Sequence, residues 1–264
     1  MKGIITIAGY GTRFLPASRA IPKEMFPIAG VPLLQYHVES LVAAGIEDII
    51  VVIRGGGGVI EGHFAPAPDL EQHLEAAGKL ELLQEMRRIT QMANIVTVRQ
   101  PATLPYGNAS PALAALPWLT PGEPFYYMFG DDIMIADTPV PRQLLDAYHT
   151  HAPAAVLATQ WVPDEEKRLY GCIEFKPGSD LEMARIIEKA AIGIASMCPS
   201  TPPHSTMSAS PMTMCRQAWA MASAPDEQAE TGVMTPARAP MFSPATADGP
   251  LGMAIETASG ETLR

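Results

Sequence analysis

The sequence predicts a three-layer α/β fold around a mixed, mainly parallel sheet, with its crevice at the carboxyl edge of the strands. Three observations carry this expectation. Strand-like and helix-like stretches alternate along most of the chain. The first apolar run, Gly3 to Ala8, ends directly in glycines, as a buried parallel strand does when it delivers the chain to a loop. Residues 33–53 then complete one β-α-β unit: apolar positions at helical spacing from Leu33 to Ala44, Gly45 as the C-cap, and the β-branched strand Asp48 to Ile53.

The later elements follow the same logic. Leu70 to Ala93 carries helical stretches broken at Gly78, Ile95 to Val98 reads as a strand, Pro111 to Leu116 as a short helix and Phe125 to Phe129 as another strand. A helix near Arg142 to His149 precedes a strand at Ala154 to Gln160, and two extended stretches lie around Cys172 to Phe175 and Glu182 to Ile187. No internal repeat is visible. Gly55 to Gly58 lowers helix propensity just after the second strand.

Composition restricts the partners. At 264 residues the chain can form one domain with a sizeable core. Its formal charge of -10 argues against a protein that holds nucleic acid, because that binding draws on clustered Lys and Arg. An anionic ligand must therefore be held by a local site. Lys2 and the run Ile4 to Ala8 are too short for a signal peptide or a membrane span, so the expected location is cytoplasmic, with no membrane partner. The cysteines Cys172, Cys198 and Cys215 contain no C-x-x-C pair and indicate neither a disulfide framework nor a zinc site; a cluster of Cys198, His204 and Cys215 matches no common zinc spacing. The oligomeric state stays open, a homo-oligomer included.

The strongest chemical signal is Gly9-Tyr10-Gly11-Thr12-Arg13-Phe14-Leu15-Pro16, followed by Ile21-Pro22-Lys23-Glu24-Met25-Phe26-Pro27. Glycines after a strand let backbone approach phosphate oxygens, and Arg13 and Lys23 supply cations. Phe14 stands where a dinucleotide fingerprint needs its third glycine, and no Gly-Lys-Ser/Thr follows to make a Walker loop. A second signal is Phe129-Gly130-Asp131-Asp132 at the end of an apolar strand, where carboxylate oxygens suit Mg2+ shared with substrate phosphates.

Together these stretches, with Ala43-Ala44-Gly45-Ile46-Glu47-Asp48-Ile49-Ile50, resemble the bacterial UTP–glucose-1-phosphate uridylyltransferase family, within the sugar-1-phosphate nucleotidylyltransferases, over residues 1–189. The resemblance implies a nucleotide-diphospho-sugar transferase (Rossmann-like) fold. It also implies transfer of UMP from UTP to glucose 1-phosphate with Mg2+, giving UDP-glucose and pyrophosphate. Carried over residue by residue, it implies Arg13 and Lys23 as catalytic cations and Asp131 as the metal ligand, with Asp132 in support. Ala8, Gly9, Gly11, Thr12, Glu24, Gln100 and Gly107 would hold the nucleotide, Gln100 reading the base edge. Gly171, after Val162-Pro163-Asp164-Glu165-Glu166 and Tyr170, would hold the sugar phosphate with Glu188 and Lys189.

The chain also departs from that family. After Gln100 stands Leu104-Pro105-Tyr106-Gly107-Asn108-Ala109, which keeps a glycine and an alanine but lacks the family's histidine. From Ala190 onward there is no lysine, the aromatics are Trp219 and Phe242 alone, and Ala, Ser, Thr, Pro and Met accumulate. Such a stretch offers little large apolar surface against chain entropy and is closer in composition to a disordered tail than to core strands. The expected division is thus a nucleotidylyltransferase domain over 1–189 and an atypical segment over 190–264, disordered or read in a shifted frame. Asp226 and Asp248 are the later aspartates, and neither sits in the context of the family's second metal ligand. Two other readings follow from these departures: an impaired nucleotide-binding remnant, or a relative that uses another base or sugar.

Overall fold

Ile4 and Ile5 are fully buried in the first strand, Lys2–Ile7 (β1), because neighbours cover both its faces. The structure, a computed structural model, describes residues 1–105, 107–162, 170–179 and 181–188, together with the strands Thr206–Cys215 and Gly252–Glu256. Contacts group it into two compact units, Met1–Arg142 and Gln143–Arg264. This boundary falls well before the change of composition at Ala190.

In the first unit, β1 is followed by a two-stranded hairpin of Pro27–Ile28 (β2) and Val31–Pro32 (β3), which turns through Ala29 and Gly30 at φ of 51° and 89°. The helix Leu33–Ala43 (α1) buries Leu34, Val38 and Leu41 and ends at Gly45, as its spacing predicts. Then come Asp48–Ile53 (β4), the helices Gly57–Phe64 (α2), Pro68–Ala76 (α3) and Leu80–Gln91 (α4), and the strand Asn94–Arg99 (β5). A short helix Ser110–Ala115 (α5) leads to Phe125–Phe129 (β6), and the boundary between the units falls inside the helix Val140–His151 (α6).

Four strands make a wholly parallel sheet in the order β6-β1-β4-β5. Ile4 stands opposite Ile50 on one side and Tyr127 on the other, and Ile50 stands opposite Val96. The β-branched run of β4 is buried from Ile49 to Ile53, which is what a strand covered by helices on both faces requires.

One element differs from the propensity argument. The glycine run does not prevent a helix: α2 begins inside it at Gly57. Ile60 and Phe64, four residues apart on one helix face, are both buried, and this packing outweighs the roughly 1 kcal/mol that each helical glycine costs.

Among the described residues, the strands of the second unit pair with one another antiparallel. Ala155–Val162 (β7), Gly171–Phe175 (β8), Met183–Glu188 (β9), Thr206–Cys215 (β10) and Gly252–Glu256 (β11) pair in the order β11-β7-β10-β8-β9. Two of these strands thus come from the stretch after Ala190, where composition shows no strand periodicity. A register shift interrupts the β10 ladder between Ala209 and Thr213, around Pro211, which has no N–H to donate.

Candidate active site

The loop after β1 is a succession of 3-10 turns, Thr12–Phe14, Ala17–Arg19 and Lys23–Met25. Gly11 opens it at φ 61°, and a Cβ there would lie 3.0 Å from Ser18 Cβ. The Ser18 hydroxyl donates to the Gly11 carbonyl at 2.8 Å, closing the turn from the far side. Gly9 and Thr12 are exposed, Ala8 is buried, and Arg13 lies exposed on the loop. From the end of β4, Arg54 Nε donates to the Ala8 carbonyl at 2.8 Å, and its guanidinium sits 4.4 Å from the centre of the Tyr10 ring.

Strand order places this loop at a switch point. From β1 the chain moves to β4 on one side and then β5, and returns to the other side of β1 as β6. The crevice of an open parallel sheet lies where the order reverses, outside the carboxyl ends of β1 and β6. Gly130 ends β6 there: its amide donates to the Thr6 carbonyl at 2.8 Å. A Cβ at Gly130 would approach Ile7 Cγ2 to 2.3 Å, so no other residue fits without movement. The next residue, Asp131, accepts from Lys23 Nζ at 2.5 Å through Oδ2, while Glu24 Oε1 lies 3.8 Å from the same ammonium.

Charge is concentrated here on groups that differ in burial. Glu24 is 3% exposed, and burial pushes its carboxyl up to about 7 despite the opposing pull of Lys23. Asp132 is raised to about 6, chiefly by burial and then by the Asp131 charge. Asp131 itself keeps 42% of its side chain exposed, the most open carboxylate of the three.

The end of β5 and the loop beyond it supply further residues. Gln100 follows β5, is buried, and its backbone N–H donates to the Ile53 carbonyl at 2.8 Å. Gly107 is exposed beyond it, and the Tyr127 hydroxyl of β6 donates to the Asn108 carbonyl at 2.5 Å, tying the altered segment back to the sheet. Tyr106 lies outside the described residues.

In the second unit, Gly171 and Glu188 stand directly opposite each other across β8 and β9, so the antiparallel register brings two of the expected sugar-phosphate residues together. Lys189 and the segment 163–169 lie outside the described residues, as do Cys198, His204, Asp226 and Asp248. Cys172 is buried in β8 and forms no disulfide, and Cys215 ends β10. Among the described residues no group of three or more His, Cys, Asp or Glu side chains is gathered as a cation cage, and no helix is long and apolar enough to cross a membrane.

Sequence reasoning passed over two supports. Arg54 registers in sequence only as a basic residue before glycines. His37 lies on the apolar side of α1 with Leu34, Val38 and Leu41, and a polar residue at a core position was the available signal.

Comparison with known proteins places these features. The nucleotidyl transferase family pattern matches residues 2–197. The UTP–glucose-1-phosphate uridylyltransferase of Bacillus subtilis is 41% identical over 200 residues, covering 74% of this chain and 66% of that protein. The enzyme of the same name from Staphylococcus epidermidis is 42% identical over 196 residues, covering 74% and 67%. The chain therefore spans about two thirds of the length of these relatives. Among solved structures, UTP-bound UGPase from Acinetobacter baumannii superposes with a TM-score of 0.71 at 25% identity, covering 97% of this chain and 86% of that one. A UDP-glucose pyrophosphorylase complexed with UDP-glucose gives 0.66 at 27% identity, covering 82% and 76%.

Proposed function

Because the chain belongs to the nucleotidyl transferase family, we propose that it acts as a UTP–glucose-1-phosphate uridylyltransferase, joining UTP and glucose 1-phosphate into UDP-glucose with release of pyrophosphate. The observation that carries the proposal is the meeting of Lys23 and Asp131 at the switch point between β1 and β6, beside a glycine loop. A cation and a hard carboxylate at that place suit a polyphosphate and its metal ion.

In this reading the glucose 1-phosphate oxygen attacks the α-phosphorus of UTP. It is already anionic at neutral pH, so no general base is needed. The protein's task is in-line placement and charge neutralisation. Arg13 and Lys23 meet the phosphates, and backbone at Gly9, Gly11 and Thr12 lines them. Ala8 and Gly9 border the base, Gln100 reads its edge, and Glu24 supports the loop from beneath. Gly107 flanks the nucleotide. Gly171, Glu188 and Lys189 hold the sugar phosphate.

The residues present fit Mg2+. Asp131 is an open hard-oxygen donor with Asp132 next to it, and Mg2+ is usually held by one or two carboxylates with the rest of its shell from water and substrate phosphate. When bound it would neutralise phosphate charge. Burial of Asp132 and its raised affinity for a proton favour Asp131 as the ligand and Asp132 as its support.

Titration calorimetry with UTP and Mg2+, beside a pyrophosphate-release assay with glucose 1-phosphate, tests the proposal. Binding and turnover are expected, and a chain that binds no UTP overturns it. The family pattern stops at residue 197 of 264, and this favours one second reading, a nucleotide-binding remnant with an incomplete site. UTP binding without turnover would select that reading. Turnover with dTTP but not UTP would instead mark a relative with another base.

A further inference from the structure

Helix α1 is tied to its surroundings by side chains close together in sequence. Gln35 is buried and joins Glu39 at 2.9 Å and His63 of α2 at 2.9 Å. The Tyr36 hydroxyl donates to the Ile28 carbonyl of β2 at 3.0 Å, and Glu39 accepts from Arg88 of α4 at 2.6 Å. The helix is therefore held from several sides. Between these ties His37, 2% exposed, points to the end of β6, and its Nε2 lies 3.0 Å from the Gly130 carbonyl.

A carbonyl can only accept, so Nε2 must carry the proton. Burial holds the imidazole neutral, pushing its pKa down to about 4. The Gly130 amide is already held by Thr6, and its Cα is wedged against Ile7. With the Gly130 N–H held by Thr6, His37 takes the other backbone polar group of Gly130, the carbonyl of the peptide unit that leads into Asp131. We infer that His37 is a positioning residue: its Nε2–H, donated to the Gly130 carbonyl from an anchored helix, sets the direction in which the Asp131 carboxylate leaves β6, and so the affinity of this site for a divalent cation. The inference rests on Asp131 being the cation ligand. A partner behind a metal ligand that is removed typically costs about tenfold or more in metal affinity.

The test compares His37→Met with His37→Gln, side chains of nearly equal length of which only Gln can donate. Mn2+ binding to the full chain is followed by EPR, the half-saturating Mg2+ is read from UTP-dependent pyrophosphate release, and melting temperature is recorded without ligands. The expected result is cation affinity about tenfold weaker in His37→Met and at least threefold better in His37→Gln than in His37→Met, with KM for glucose 1-phosphate unchanged. Equal cation affinity in the two variants overturns the inference, as does a loss in both that follows melting temperature alone. Asp131→Asn, run in parallel, separates the premise. If it binds Mn2+ like the parent, the ligand assignment fails and His37 with it. If it loses Mn2+ while His37→Met does not, the role of His37 alone is refuted.

Discussion

The two units use opposite sheet chemistry. In Met1–Arg142 the sheet β6-β1-β4-β5 is parallel and its central strands β1 and β4 are buried and rich in Ile and Val, whereas the described strands of Gln143–Arg264 pair antiparallel with one another and include Thr206–Cys215, a strand of Thr, Met, Ser, Ala, Pro and Cys. A parallel strand must carry its own apolar run because helices cover both sides, and that run is visible to a reader of sequence. An antiparallel strand is specified largely by its cross-strand partner and needs no such run. The first unit also holds the glycine loop after β1 and the Lys23–Asp131 pair, and the second holds the Gly171–Glu188 pair. Substitutions should divide along the same line, nucleotide effects on one side and sugar effects on the other.

The largest effect is expected from Lys23→Ala and Arg13→Ala, each lowering turnover by about a hundredfold or more, since a cation meeting phosphate charge in a preorganised site is worth a few kcal/mol. Activity within twofold of the parent, measured as pyrophosphate release, would remove that residue from the site. Next, Asp131→Asn should raise the Mg2+ requirement by about tenfold while Asp132→Asn changes it less; the reverse order would move the ligand by one residue. In the second unit, Glu188→Gln should raise KM for glucose 1-phosphate and leave KM for UTP within twofold. A matching rise for UTP would erase the division between the units. Gln100→Ala should relax the preference for UTP over CTP more than it slows UTP use, because a buried reading group acts through the cost of a mismatch.

A subtler prediction concerns pH and the unliganded fold. Glu24 has a native pKa of about 7 against 4.5, so the native state holds more protons between those values and Glu24 stabilises less as pH rises through that window. His37 is lowered from 6.5 to about 4, so the unfolded state holds more protons there and its contribution grows with rising pH. The slopes oppose each other over nearly the same range. Each shift corresponds to about 3 kcal/mol in order of magnitude. Denaturant titrations from pH 4.5 to 7 should show Glu24→Gln gaining stability with pH relative to the parent, and His37→Gln losing it. Parallel curves for parent and variants would refute both burial arguments. The smallest effect is expected at the hairpin turn: Ala29, at φ 51°, occupies a position that Asn tolerates better, and Ala29→Asn should add about 0.5 kcal/mol to thermal stability.

Much of the first unit was legible in sequence, and the reason is local. The runs Ile4 to Ile7 and Ile49 to Ile53, the spacing of Leu34, Val38 and Leu41, and the break at Gly78 each announce an element without reference to the rest of the chain. Helix α2 did not announce itself, because Ile60 and Phe64 become a core face only once β5 and α4 exist for the helix to pack against. Gly11, Lys23 and Asp131 could be read from their positions after strands, but their meeting depends on β6 returning beside β1, a long-range pairing that no local pattern encodes. Arg54 and His37 act through backbone carbonyls, and such contacts leave no motif. For the carboxyl stretch we hold a shifted reading frame after Lys189 as a proposal, motivated by the abrupt loss of lysine and aromatics. Translating the neighbouring frames of its coding DNA should yield a Gly-Gly-Glu-Ile-Gln-Leu-like and an Asp-x-Gly-Asp-Lys-like segment in one of them; their absence from both, with a tail that resists proteolysis and a chain that turns over UTP, would mark the tail as a genuine variant.

If Asp131 holds the cation and Lys23 the phosphate, as proposed, the ion pair between them makes two ligands energetically dependent on each other. Freeing Asp131 for a cation also frees Lys23 for a phosphate, and freeing Lys23 for a phosphate leaves Asp131 in want of a cation. Whichever ligand arrives first bears the rupture, and the second arrives without it. This is positive heterotropic coupling through a shared broken contact, reciprocal by necessity. On those proposed roles a divalent ion and a triphosphate presented as one complex would break the contact only once.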